Sequence, residues 1–226
     1  MNMKILSIFL LAIIMTANSS TAQTGKKSTT TASKDPIVQL TTDYGTMKIK
    51  LYNETPQHRD NFLKLVKEGF YNGTLFHRII NGFMIQGGDP NSKNAAPGDM
   101  LGSGDIGYTV PAEFNPALFH KKGALCAART ENPAKASSGC QLYIVQGKKY
   151  TDIDLDQMEA RSGIKYTAEQ RNVYKTIGGT PMLDMGYTVY GEVISGLDVI
   201  DKIAAVQTKP GDRPVADVKM TIKVIQ

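Results

Sequence analysis

The sequence predicts a mainly β fold: a closed eight-stranded antiparallel barrel capped by two α-helices, with a partly helical surface insertion at about residues 147–180. Three observations carry this expectation. Short runs rich in apolar and β-branched residues recur along the chain with turn residues between them. Outside the insertion, helical periodicity is confined to two stretches. Strands do not alternate regularly with helices, which argues against a parallel α/β sheet, and closing an antiparallel sheet on itself removes both exposed edges.

The chain of 226 residues is 41% hydrophobic and 21% charged, enough for one well-buried core. Its first part stands outside that core. Lys4 precedes an apolar run at 5–15, ILSIFLLAIIM, and Ser20-Thr21-Ala22 supplies small residues before Gln23. This is the pattern of a cleavable export signal at 1–22. The run is short for a bilayer span, so an exported protein, periplasmic or secreted, without a stable membrane anchor is expected. Residues 23–35 are polar, rich in Ser and Thr and without apolar period, the composition of a disordered linker. Lys4, Lys26, Lys27 and Lys34 precede Asp35 with no acidic residue among them, so leaving out 1–34 takes the net charge from +5 to +1. A near-neutral domain at 36–226 without a basic run is not expected to bind nucleic acid.

Within that domain, residues 37–43 and 46–52 alternate around Tyr44-Gly45 as a first hairpin. Thr55-Pro56 supplies an N-cap and a first-turn proline, Phe62, Leu65 and Val66 follow at helical spacing, and Gly69 ends a helix over 56–68. Further strand-like runs lie at 74–80, 84–88, 108–113, 123–129, 141–146, 187–194 and 218–225, nine in all with the first hairpin where about eight barrel strands are expected, with a second helix at 197–205. The 147–180 segment is charged and polar, and Thr167 with Gln170 forms a capping-box pattern that opens one short helix inside it.

Several chemistry-bearing patterns fail on inspection. Gly102-Ser103-Gly104-Asp105-Ile106-Gly107 matches a dinucleotide fingerprint in letters, but Tyr108-Thr109-Val110-Pro111 follows where a helix is required; a mobile glycine loop is expected. Asp152, Asp154 and Asp156 open like a calcium loop, yet Gln157 and Gly163 replace its turn glycine and its bidentate glutamate, which leaves a solvated acidic stretch. His58, His77 and His120 share no ligand spacing, so no metal is expected. No nucleophile motif is present, so any chemistry must proceed without an evident acid, base or cofactor.

The segment FHRIINGFMIQGGDP, residues 76–90, reads as a hairpin turning at Asn81-Gly82, with a cation and an amide in otherwise apolar strands. A two-residue loop sets Arg78 opposite Ile85. A three-residue loop, Asn81-Gly82-Phe83, sets Arg78 opposite Gln86 and gathers Arg78, Met84 and Gln86 on one face, with Ile79 and Ile85 on the other. The second register is favoured because it turns no charge toward the core. One fixed cation beside apolar side chains suits isomerisation of an X-Pro bond. The barrier of ~18–20 kcal/mol is lost amide resonance, and the twisted state leaves a lone pair on the proline nitrogen that a guanidinium can bind.

This segment resembles the signature hairpin of the cyclophilin-type peptidyl-prolyl isomerases. The resemblance runs from about residue 37 to 225 through GALCAART, SSGCQLYIV and LDMGYTVYGEVISGLDVIDKI. It points to an exported bacterial-type member with an insertion before the last part of the barrel. It implies that Arg78 is catalytic, that Phe83 and Met84 line a proline pocket and that Gln86 binds substrate backbone. It further implies that Ala128, Gln141, Tyr143 and Leu183 belong to the groove. The sequence departs from the family pattern at Arg129, Tyr143, Met182 and Tyr187, which replace an asparagine, a phenylalanine, a tryptophan and a histidine. A tyrosine can still cover a proline ring and offer a hydroxyl, so activity should survive. Cyclosporin should bind weakly, because methionine lacks the indole donor. Expected partners are proline-containing polypeptides of exported proteins; a proline-binding chaperone with little turnover, or a barrel used only as an envelope scaffold, is the alternative. Export would allow Cys126 and Cys140 to form a disulfide, but strict alternation turns them to opposite faces, and only a bulge in GALCAART would bring them together.

Overall fold

The computed structural model describes residues 34–226; the export signal expected at 1–22 and all but the last two residues of the linker expected at 23–35 lie outside the described residues. In chain order the elements are β1 (Ile37–Thr42), β2 (Gly45–Leu51), α1 (Pro56–Lys67), β3 (Phe76–Ile80), β4 (Met84–Gly87), β5 (Thr109–Val110), β6 (Ala124–Ala127), β7 (Ser137–Ser138), β8 (Leu142–Val145), α2 (Asp152–Ser162), α3 (Ala168–Thr176), β9 (Val189–Ser195), α4 (Leu197–Ala204) and β10 (Thr221–Val224). Eight strands form one antiparallel sheet in the order β10-β1-β2-β9-β6-β8-β4-β3. The run expected at 108–113 is not among them: its core, β5, pairs only with the two-residue β7.

The sheet is a strongly curled half-barrel and not the closed barrel expected. β3 and β10 do not pair as strands. The residues ahead of each meet instead. Leu75 bridges Lys219, and the N–H groups of Gly73, Met220 and Phe76 donate to the carbonyls of Met220, Thr74 and Val218, each at 2.9 Å. Further along β3 the Ile79 N–H donates to the Asp212 carbonyl at 2.8 Å. The loop between α4 and β10 thus covers the open edge, which satisfies the same backbone groups that closure would have paired.

Alternation divides the side chains cleanly. Leu40, Ile49, Ile79, Ile85, Leu125, Ile144 and Ile222 form the interior cluster, completed by Phe62, Leu65 and Val66 of α1 and Ile200 and Ile203 of α4. Met84, Cys126, Tyr143, Val145 and Val189 face the other way in a second cluster. Each interior side chain contributes about 1.5–3 kcal/mol on burial, so the interior set decides which face of each strand turns outward. Cys126 and Cys140 are both free, buried and in different clusters; the alternation of β6 keeps the thiols apart, so the disulfide is not formed.

Thr55 occupies the N-cap of α1 but makes no side-chain cap bond, and its hydroxyl is buried without a partner. The cap comes from Glu113, whose carboxylate accepts from the Gln57 and His58 N–H groups at 3.0 and 2.9 Å and places negative charge at the positive helix end. Glu113 also meets His58 Nδ1 at 2.6 Å, and His58 Nε2 meets the Ser137 hydroxyl at 3.0 Å. This has the order of a hydrolytic triad, but Ser137 is only 1% exposed, so it is a structural tie.

The insertion holds two helices where one was expected. α3 opens on the anticipated Thr167–Gln170 capping box, and α2 on a second one formed by Thr151 and Asp154. Asp152, Asp156 and Glu159 of α2 surround Arg171 of α3 at 2.8–3.1 Å. Asp152 and Asp156 are more than half exposed, so these pairs are worth little, and the buried cluster of Tyr150, Leu155, Tyr166 and Tyr174 holds the helices together. At its base, Gly179 lies so close to the neighbouring chain that a Cβ there would stand 2.3 Å from the His120 carbonyl oxygen and 2.7 Å from the Tyr174 ring. Gly179→Ala should therefore destabilise the domain by about 1–3 kcal/mol by overpacking, read as a lower denaturation midpoint; an unchanged midpoint would show that this approach is slack.

Candidate active site

The hairpin takes the three-residue loop. Ile80 pairs with Met84, Ile79 with Ile85 and Arg78 with Gln86, and Gly82 accepts the left-handed conformation at φ 77°. The neighbouring registers extend this row. Gln86 pairs with Tyr143 on β8, and Tyr143 with Cys126 on β6. Four strands thereby align Arg78, Gln86, Tyr143 and Cys126 across the outward face.

Above this row lies a cavity of about 760 Å³. Arg78, Phe83, Met84, Gln86, Ala128, Arg129, Tyr143, Leu183 and Tyr187 line it, so most of the anticipated groove residues converge. Gln141 and Met182 do not reach its lining. Met182 is 54% exposed in a short 3-10 turn, Pro181–Leu183. Gln141 works from behind: its Oε1 accepts from Gln86 Nε2 at 3.1 Å, and its Nε2 donates to the carbonyls of Gly102 and Gly104, both at 2.8 Å. That pair fixes the Gln86 amide and anchors the glycine loop. Asp89, fully buried, holds the same loop by accepting from the Gly102 and Gly104 N–H groups. The loop expected to be mobile is therefore pinned from both sides.

Arg78 keeps 44% of its side chain exposed, and its Nε donates to Asp212 Oδ2 at 3.3 Å. Among the described residues no protein acceptor lies within hydrogen-bond reach of its Nη groups. Asp212 follows Pro210 and Gly211 in a tight turn closed by its N–H to the Lys209 carbonyl, and it adopts φ 65°, uncommon outside glycine. The same residue thus grips the β3 backbone at Ile79 and the Arg78 side chain. Nothing in the local sequence foretells this contact, although a Pro-Gly pair favours a turn.

Opposite Arg78 the wall is aromatic. Tyr143 and Tyr187 meet edge to face with centroids 5.9 Å apart, and the Arg129 guanidinium sits 4.6 Å above the Tyr187 ring while its Nε donates to the Gly186 carbonyl. Tyr143 is only 4% exposed and its hydroxyl is bound to His120, so it offers the groove a ring face and no donor. Burial pushes its phenol well above the ordinary range. Among the described residues no cluster of three or more His, Cys, Asp or Glu side chains could hold a metal, and no helix is long and apolar enough to cross a membrane.

His77 also lines the cavity, 3% exposed, with neither ring nitrogen at hydrogen-bond geometry. Desolvation lowers its pKa from 6.5 to about 4. Unfolded, the ring takes up a proton once the pH falls below about 6.5; folded, it resists until about 4. Stability therefore falls as pH drops through that window, by at most about 1.4 kcal/mol per pH unit from this group. Burial lowers His58 as well, with the same sign. Denaturant titrations across the window should show His77→Gln losing less stability than the wild type; parallel losses would contradict this.

Comparison with known proteins follows the same line. The family model described as "Cyclophilin type peptidyl-prolyl cis-trans isomerase/CLD" matches residues 37–224. A Staphylococcus saprophyticus protein named "Putative peptidyl-prolyl cis-trans isomerase" is 35% identical over 187 residues, covering 82% of this chain and 89% of the relative. A Streptococcus pyogenes protein named "Putative bifunctional phosphatase/peptidyl-prolyl cis-trans isomerase" is 37% identical over 188 residues, 81% of this chain, and the chain spans only 37% of that longer relative. A Cryptosporidium parvum cyclophilin-type isomerase, solved in the presence of the dipeptide Ala-Pro, superposes with a TM-score of 0.61 at 22% identity, covering 84% of this chain and 99% of that one, which shows the shared fold.

Proposed function

The chain belongs to the cyclophilin-type peptidyl-prolyl cis-trans isomerase family, and from that premise we propose that it isomerises X-Pro bonds in the groove above β3, β4 and β8, with Arg78 as the catalytic residue. The carrying observation is the placement of Arg78: paired with Gln86, tethered at Nε by Asp212, and with its Nη groups unclaimed beside an apolar wall. In a planar amide the proline nitrogen's lone pair is delocalised into the carbonyl, so that nitrogen is a poor acceptor for the guanidinium. As the X-Pro bond twists, resonance is lost and a lone pair gathers on the proline nitrogen, so the donor binds the twisted state better than either planar one. A guanidinium stays protonated throughout and acts as a fixed donor.

Phe83, Met84, Leu183 and the Tyr143 ring hold the pyrrolidine, and Gln86, oriented by Gln141, binds the peptide backbone. Arg129 and Tyr187 close the far rim. Substrates are proline-containing segments of exported polypeptides, a reading supported by Lys4 and the apolar run that follows it. Cyclosporin binds weakly on this account, because exposed Met182 brings no donor to the rim.

Arg78→Ala should lower kcat/KM by ~10²–10³-fold, comparable to removal of one preorganised donor in other enzymes. Far-ultraviolet circular dichroism and a retained melting transition would confirm that the fold persists. A folded variant that keeps nearly full activity in a protease-coupled proline-peptide assay would exclude Arg78 from the mechanism. A wild type that binds proline peptides without turning them over would make the chain a binding module.

A further inference from the structure

A continuous line of buried polar groups runs from the insertion to the aromatic wall of the groove. Tyr174 on α3 is fully buried and its O–H donates to Asp184 Oδ2 at 2.5 Å. The other oxygen, Oδ1, accepts from the His120 backbone N–H at 2.8 Å and meets His120 Nδ1 at 2.7 Å. His120 is fully buried too, and its Nε2 lies 2.9 Å from the Tyr143 hydroxyl. The His120 and Tyr143 rings are nearly parallel, 12° apart, with centroids at 6.1 Å.

In either proton arrangement that fits these contacts Nδ1–H is given to the Asp184 carboxylate, and Nε2 either accepts from the Tyr143 O–H or, carrying a proton, donates to its oxygen. Among the described residues Asp184 accepts three donors, of which Tyr174 supplies the one that does not come from His120. Removing that O–H strips Oδ2 of its protein donor, and a carboxylate that turns to recover one moves the ring it holds.

We infer that Tyr174 is a positioning residue for the proline pocket: through Asp184 and His120 it fixes the tilt and depth of the Tyr143 ring. This rests on the groove being the proline site. It gives the insertion a share in substrate affinity although α2 and α3 contribute no residue to the cavity lining. Tyr174 touches neither the groove nor Arg78, so its effect falls on peptide binding more than on the twisting step.

A double-mutant cycle tests this directly. Tyr174→Phe removes one hydroxyl and keeps the ring in its aromatic cluster. It should weaken the Kd of a proline peptide, measured by NMR titration, about threefold to tenfold, with a smaller change in kcat. In a Tyr143→Phe background the same Tyr174→Phe change should leave the Kd unaltered, because the hydroxyl through which it acts is gone, while still lowering thermal stability. Equal weakening in both backgrounds, or none in the first, overturns the inference. If Tyr174→Phe does not fold, Asp184→Asn breaks the line at the next group and is read in the same two backgrounds. Because Kd is measured without turnover, a protein that binds proline peptides but does not isomerise them would defeat the functional reading and leave this one decided by the cycle. A wild type that binds none would remove both.

Discussion

The pairing of Arg78 with Gln86 is the constraint on which the site depends. A strand has a side-chain period of two, so a slip of one residue in this hairpin would turn Arg78 toward Ile85 and scatter the groove. The choice is made twice over. Gly82 supplies the positive φ that the three-residue loop requires, and the Gln146 and Gly147 N–H groups both donate to the Phe83 carbonyl, fastening the loop to the end of β8. On the inner face, fully buried Ile85 and nearly buried Ile79 would have to be exposed for the register to change. At about 1.5–3 kcal/mol for each side chain, that outweighs any single turn preference.

Around this apolar decision the chain builds the walls of the groove from polar hubs, largely buried except for Asp212, whose side chain is 42% exposed. Asp89 gathers the glycine loop, Gln141 ties that loop to Gln86, Asp212 holds Arg78, and Asp184 holds His120 beneath Tyr143. Such hubs are directional in a way that dispersion contacts are not. Each satisfied donor fixes an orientation, and each lost partner leaves a buried group that costs about 1–3 kcal/mol. A reaction that needs a preset donor and a preset ring, with no group consumed, is served by that kind of rigidity.

What could be read from the sequence is what the chain encodes locally. The hairpin register, α1 and α4 follow from alternation, from the Phe62-Leu65-Val66 spacing and from the Val199-Ile200-Ile203 stripe. The Thr167–Gln170 box marked α3, but α2 was hidden because its acidic first turn resembles a solvated loop and buries only Leu155. Thr55 takes the N-cap position that the sequence marks for α1, but the carboxylate that supplies the cap bonds, Glu113, lies 55 residues beyond His58. Asp212 lies 134 residues from Arg78, and His120 and Asp184 are 64 apart. No local pattern carries such pairs, and two-residue β7 leaves no periodicity to detect. The open edge is illegible for the same reason: the need to satisfy backbone groups points to closure, and the loop before β10 meets that need by another route.

In the proposed mechanism a fixed donor binds the twisted amide without a proton changing hands. The rate of cis–trans exchange of a proline peptide, followed by NMR in light and heavy water across the neutral range, tests it most directly. A donor that is never consumed predicts equal kcat/KM in the two solvents and a flat dependence on pH. A rate that slows in heavy water, or that follows the titration of a single group, would show general acid or base catalysis and contradict the assignment.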